Sequence, residues 1–145
     1  MQFLKTITLA AAVSVASLTG LALINPAPAT AASGKVQELR IQTRLTGGAI
    51  SGVVPEGSAR FRSRGTSSNF SVEVEDVNLP DGTKLNVALM RGTTSIPAGS
   101  LTLALHTGEI DVNTNDGDLV PQAKAGDIVV VSDAGGTALL TGVLK

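Results

Sequence analysis

Residues 60–75 read RFRSRGTSSNFSVEVE. Arg60, Arg62 and Arg64 alternate with Phe61 and Ser63, a spacing that in a strand puts three guanidinium groups on one face. Such a row suits phosphate or sulfate, because the planar guanidinium fork offers paired N–H donors to an oxyanion. The second half of the stretch opposes it. Glu73 and Glu75 alternate with Val72 and Val74. A turn at 65–68 with antiparallel flanks predicts Arg64 opposite Asn69, Arg62 opposite Ser71 and Arg60 opposite Glu73. On the apolar face, Ser63, Phe61 and Ala59 would meet Phe70, Val72 and Val74. Unlike charges directly opposed on a sheet contribute roughly 0.2–1 kcal/mol each, and less when solvated. The row therefore reads as a solvated face with cross-strand pairing. Arg62 and Arg64, which meet only Ser71 and Asn69, are its candidate anion contacts. Arg40 and Arg44 extend the row if their strand lies alongside.

Residues 111–118, DVNTNDGD, hold a second candidate set. Asp111, Asn113, Asn115, Asp116 and Asp118 place side-chain oxygens close together, as a calcium loop does. An EF-hand loop needs a glycine at its sixth position and an acid at its twelfth. Here Asp116 pushes Gly117 one place late, and the twelfth residue is Gln122. A hairpin turn on Asn115-Asp116-Gly117 needs no metal and is the reading taken. Weak calcium binding is the alternative.

The other chemistry-bearing residues are fewer. His106 is the lone histidine, and with no cysteine present it has no partners for a zinc site. It reads as a surface turn residue beside Thr107 and Gly108. No nucleophile elbow, phosphate loop or dinucleotide fingerprint occurs. Glu73, Glu75 and Asp76 could be drawn as a glycosidase pair, but no aromatic cleft accompanies them. Asn69-Phe70-Ser71 fits a glycosylation acceptor, yet Phe70 reads as core.

These residues sit in a chain of strands and turns. Apolar and polar positions alternate at 39–45, 59–63, 70–74, 85–89, 101–105 and 110–112. Residues 128–131 are continuously apolar, as in a strand buried on both faces. Leu139, Leu140, Val143 and Leu144 close the chain around Gly142. Gly, Pro, Asn and Asp cluster between the runs, and no stretch after residue 32 has helical periodicity with a cap. The pattern predicts an all-β, antiparallel β-sandwich of immunoglobulin-like kind with about seven to nine strands. A small β-barrel is the alternative.

Residues 1–31 read as a secretory signal peptide. Lys5 precedes an apolar run from Ile7 to Ile24, Asn25-Pro26 breaks it, and Ala29-Thr30-Ala31 offers the small residues of a cleavage site. Residues 32–37 form a short linker and 38–145 a single domain. The product is then secreted or periplasmic, with no stable membrane span after cleavage. The absence of cysteine excludes disulfides and fits a bacterial product. A formal charge of −1 predicts no general attraction to nucleic acid. Neither Trp nor Tyr is present to stack sugars or bases.

Three segments carry a resemblance: LTGGAISGVVPEGSARF, FSVEVEDVNLPDGTKLNV and AGDIVVVSDAGGTALLTGVLK. Their order resembles the CHRD family, the β-sandwich domain of chordin and of many secreted bacterial proteins, over residues 45–145. The chain departs from it at NVALMRGTT, where the family carries a histidine, and the closing segment lacks the family's His-Thr pair. The resemblance implies an immunoglobulin-like sandwich with a non-catalytic role, and it transfers no site residue. Residue by residue and by resemblance, the expectation is a secreted, non-catalytic module with a structural or protein-interaction role and an unidentified protein partner. A weak calcium-binding extracellular module is the alternative.

Overall fold

Alternation of apolar and polar residues sets one face of each strand toward a common interior. The computed structural model describes residues 34–145, so the expected signal peptide over 1–31 lies outside the described residues. Gly34 to Gln37 is exposed and irregular, and the domain starts at Glu38. Eight strands follow: β1 Glu38–Thr46, β2 Glu56–Arg64, β3 Ser67–Glu75, β4 Lys84–Arg91, β5 Thr94–Thr102, β6 Gly108–Asn113, β7 Ile128–Ser132 and β8 Ala138–Val143. Among the described residues the one helical element is a single 3₁₀ turn at Thr114–Asp116. No helix there is long and apolar enough to cross a membrane.

All strand pairs are antiparallel, in the order β5-β4-β7-β8-β1-β2-β3-β6. The protein is thus all-β, one nearly closed eight-stranded sheet, consistent with a sandwich or a small barrel. Two four-stranded halves meet where the chain end joins β1. Thr46 pairs with Thr141, and Gln42 and Lys145 exchange backbone hydrogen bonds of 3.1 and 3.2 Å. On its other side the same segment continues the β7 ladder, with Leu144 donating to the Asp127 carbonyl at 2.9 Å. Gly142 makes the corner possible. A Cβ there would lie 2.5 Å from the Arg44 carbonyl oxygen and 2.8 Å from Thr43 Oγ1.

The core lies between the halves. Ile41, Leu45, Phe61, Phe70, Val72 and Val74 pack from one, and Leu85, Val87, Leu89, Val129, Val131 and Leu140 from the other. Burying such side chains stabilises by roughly 1.5–3 kcal/mol each, and without disulfides this burial holds the fold. Two segments differ from the sequence reading. β5 runs Thr94–Thr102, whereas alternation placed a strand at 101–105. Leu105 sits instead in a turn at φ +52°, 81% exposed. β5 is an edge strand of the sheet and so accommodates Pro97, which donates no ladder hydrogen bond. β7 is buried on one face only, with Ile128 39% exposed.

Candidate functional site

The β2–β3 hairpin turns on two residues, Gly65 and Thr66, not four. Gly65 takes φ +60°, as the first central position of a two-residue hairpin turn requires. The register therefore moves by two from the expected one. Arg64 faces Ser67, Arg62 faces Asn69, Arg60 faces Ser71, and Glu73 faces Ser58. A shift of two leaves every side chain on its predicted face. The expected Arg60–Glu73 pairing is replaced, and the acids that neutralise arginines come from β1 and the start of β2.

The outer face of β1-β2-β3-β6 collects the charge. It carries five of the six arginines (Arg40, Arg44, Arg60, Arg62, Arg64) and all five glutamates (Glu38, Glu56, Glu73, Glu75, Glu109) of the chain. The arginines lie on β1 and β2, and three of the glutamates lie on β3 and β6. Arg44 pairs with Glu56. Glu38 stands opposite Arg64 in register but reaches diagonally to Arg62, whose Nε lies 2.8 Å from it, and also holds Arg40 at 2.9 Å. Hydrogen bonds from Arg62, then Arg40, hold the Glu38 carboxyl below the usual carboxylate range. Arg60 and Arg64 have no ion pair among the described residues.

The two candidate sets of the sequence come together at the turn end of this face. Arg62, Arg64, Asn113 and Asn115 line one shallow concavity of about 310 Å³, with Ser67, Ser68 and Asn69. The serines and Asn69 were not among the predicted residues. Their signal would have been the Gly-Thr turn, which sets them beside the arginines. Most of the other side-chain oxygens of 111–118 already accept hydrogen bonds from the chain. Asn113 Oδ1 accepts from the Asn115 N–H at 3.0 Å, the Asp118 carboxylate accepts from the Asn113 N–H at 3.1 Å, and Asp111 accepts from the Asn69 amide. Asp116 is exposed on the 3₁₀ turn. Among the described residues no three His, Cys, Asp or Glu side chains converge to hold a metal ion. His106 is an exposed turn residue at φ +64°.

The opposite outer face, on β5-β4-β7-β8, is built differently. Register sets Ser95, Met90, Ile128 and Val143 in one row and Pro97, Ala88, Val130 and Thr141 in the next. Ile128 and Val143 are 39% and 43% exposed. Asn86, Ser100 and Ser132 border this strip, and Lys84 is the one ionisable side chain on these strand faces. The sixth arginine, Arg91, is turned into a structural pair. Its Nε and Nη2 meet the Asp127 carboxylate at 2.9 and 2.7 Å, and Nη2 also donates to the Gln122 carbonyl at 2.8 Å. Asp127 is 2% exposed, and the Arg91 hydrogen bonds hold its carboxyl below the usual range against the opposing effect of burial.

No protein-family model, curated protein or solved structure matches the chain.

Proposed function

We propose that the chain is a secreted, non-catalytic β-module that works by binding another protein through the outer face of β5-β4-β7-β8. One observation carries this reading: the two outer faces are made to opposite rules. A solvated antiparallel sheet face is polar, as the β1-β2-β3-β6 face is. The other face presents Met90, Ile128, Val130 and Val143 as a contiguous apolar strip with a polar border. An exposed apolar strip with a polar border is the surface pattern of a protein contact. Its near lack of charge selects a partner surface that is apolar and uncharged, since an ion buried against it would lose its water without return. Export rests on the signal-peptide pattern of residues 1–31. A non-catalytic role is also what the resemblance to the CHRD family implies.

A photo-cross-linking residue placed at position 128, in the protein as its producing cell exports it, tests the reading. Adducts of defined mass at 128, with none at position 71 on the charged face, support it. Equal labelling at both positions, or none at 128, overturns it. An adduct of twice the chain mass identifies the partner as a second copy.

A further inference from the structure

We infer that the concavity at the β2–β3 turn end is a binding site for a tetrahedral oxyanion, the phosphate or sulfate group of an ester. It is separate from the apolar face and does not depend on it. Its free donors are those that the fold leaves without an acceptor.

Arg64 is exposed and has neither ion pair nor hydrogen-bond acceptor among the described residues, because its register partner Glu38 is drawn to Arg62. Asn113 and Asn115 are oriented by their own carbonyl oxygens. Asn113 Oδ1 accepts from the Asn115 N–H, and Asn115 Oδ1 accepts from the Ser67 hydroxyl at 3.0 Å. Each amide is thereby held with its NH₂ group as an unspent donor. No acid lines the concavity, whereas Glu73 lines two others on the same face. The result is a donor-rich hollow with a positive charge that nothing in it cancels.

The donors come from β2, from the end of β6 and from the 3₁₀ turn, so they approach from different directions. That arrangement suits a tetrahedral group with several acceptor oxygens more than a planar carboxylate, which is best met by one guanidinium fork. The volume of about 310 Å³ leaves room for the carbon chain that carries the ester. Glu38 sets the strength: by holding Arg62 and Arg40 it subtracts charge and keeps the site weak.

Titration of the purified domain with inorganic phosphate, inorganic sulfate and acetate, at constant ionic strength and followed by amide NMR, tests the inference. Saturable shifts in the millimolar range, confined to residues 62–69 and 113–118, are expected with phosphate, sulfate or both. A response to one alone names the ester. Arg64→Gln is expected to weaken binding at least tenfold, and Asn115→Asp to abolish it by turning a donor into a charged acceptor. Arg44→Gln, on the same face but away from the hollow, is expected to change binding less than twofold. All three variants must keep the dispersed amide spectrum of the parent. Absence of saturation with both oxyanions overturns the inference. So does an equal response to acetate, or an equal loss in Arg44→Gln.

Discussion

Replacing Gly142 by alanine tests the junction that sets the two outer faces back to back. The backbone at Gly142 is one that any residue adopts, so the cost is steric. The added Cβ would sit 2.5 Å from the Arg44 carbonyl oxygen, 2.8 Å from Thr43 Oγ1 and 3.0 Å from Leu45 Cδ2. Ordinary contact to the oxygen requires β1 to withdraw by roughly 1 Å. The reciprocal Gln42–Lys145 bonds already measure 3.1 and 3.2 Å, so a withdrawal of that size breaks them. Overpacking costs about 1–3 kcal/mol, and each lost hydrogen bond adds about 1 kcal/mol. A total of about 3–5 kcal/mol lowers Tm by about 10–25 °C for a domain of this size. Gly48→Ala is the control, because no atom lies within 4 Å of its added Cβ. Thermal unfolding of both variants, with hydrogen exchange at Gln42 and Lys145, gives the readout. Loss of protection at those two amides, together with the fall in Tm, is expected for Gly142→Ala alone. If the two variants melt together within about 2 °C, the corner is not where the halves are joined.

Two further predictions concern charge. Asp127→Ala removes the acceptor of both Arg91 donors and of the Lys124 N–H, so it lowers Tm. Because the Asp127 carboxyl is held low, its contribution is present above its unfolded value and is lost as pH falls through its folded value. The gap in stability between parent and variant therefore narrows on acidification below about pH 4, and urea unfolding at several pH values measures it. A gap that stays constant or widens there contradicts the assignment. Glu38→Gln frees Arg62 and Arg40, so sulfate binding at the hollow strengthens several-fold in the same NMR titration. In the parent, sulfate affinity rises as pH falls through the depressed Glu38 value. In the variant that rise is absent.

The strands were legible because their faces differ. Alternation located the inward residues of β1, β2, β3 and β4, and the shift of two in the β2–β3 register kept all of them inward. The same periodicity could not choose between a two-residue and a four-residue turn, because both leave Phe61 and Phe70 in the core. Only the conformation at Gly65 decides. β5 was misplaced because Leu101, Leu103 and Leu105 alternate as a strand does, whereas the strand ends at Thr102 and the chain turns at Leu105 and His106. Ile128-Val129-Val130-Val131 looks like a strand buried on both sides, so the exposed apolar face could not be separated from core by composition. The anion hollow was half legible. Arg62 and Arg64 stand out in the sequence, but their neighbours Asn113 and Asn115 arrive from about 50 residues away through the β3–β6 ladder.

The contrast between the two outer faces is tested most directly by hydroxyl-radical footprinting of the chain, purified and in the fraction where its producing cell leaves it. The account predicts that Met90, Ile128 and Val143 are labelled in the purified protein and protected in that fraction, while labelling of the charged face stays the same. Equal labelling of the apolar strip in both samples, or protection confined to the charged face, contradicts it.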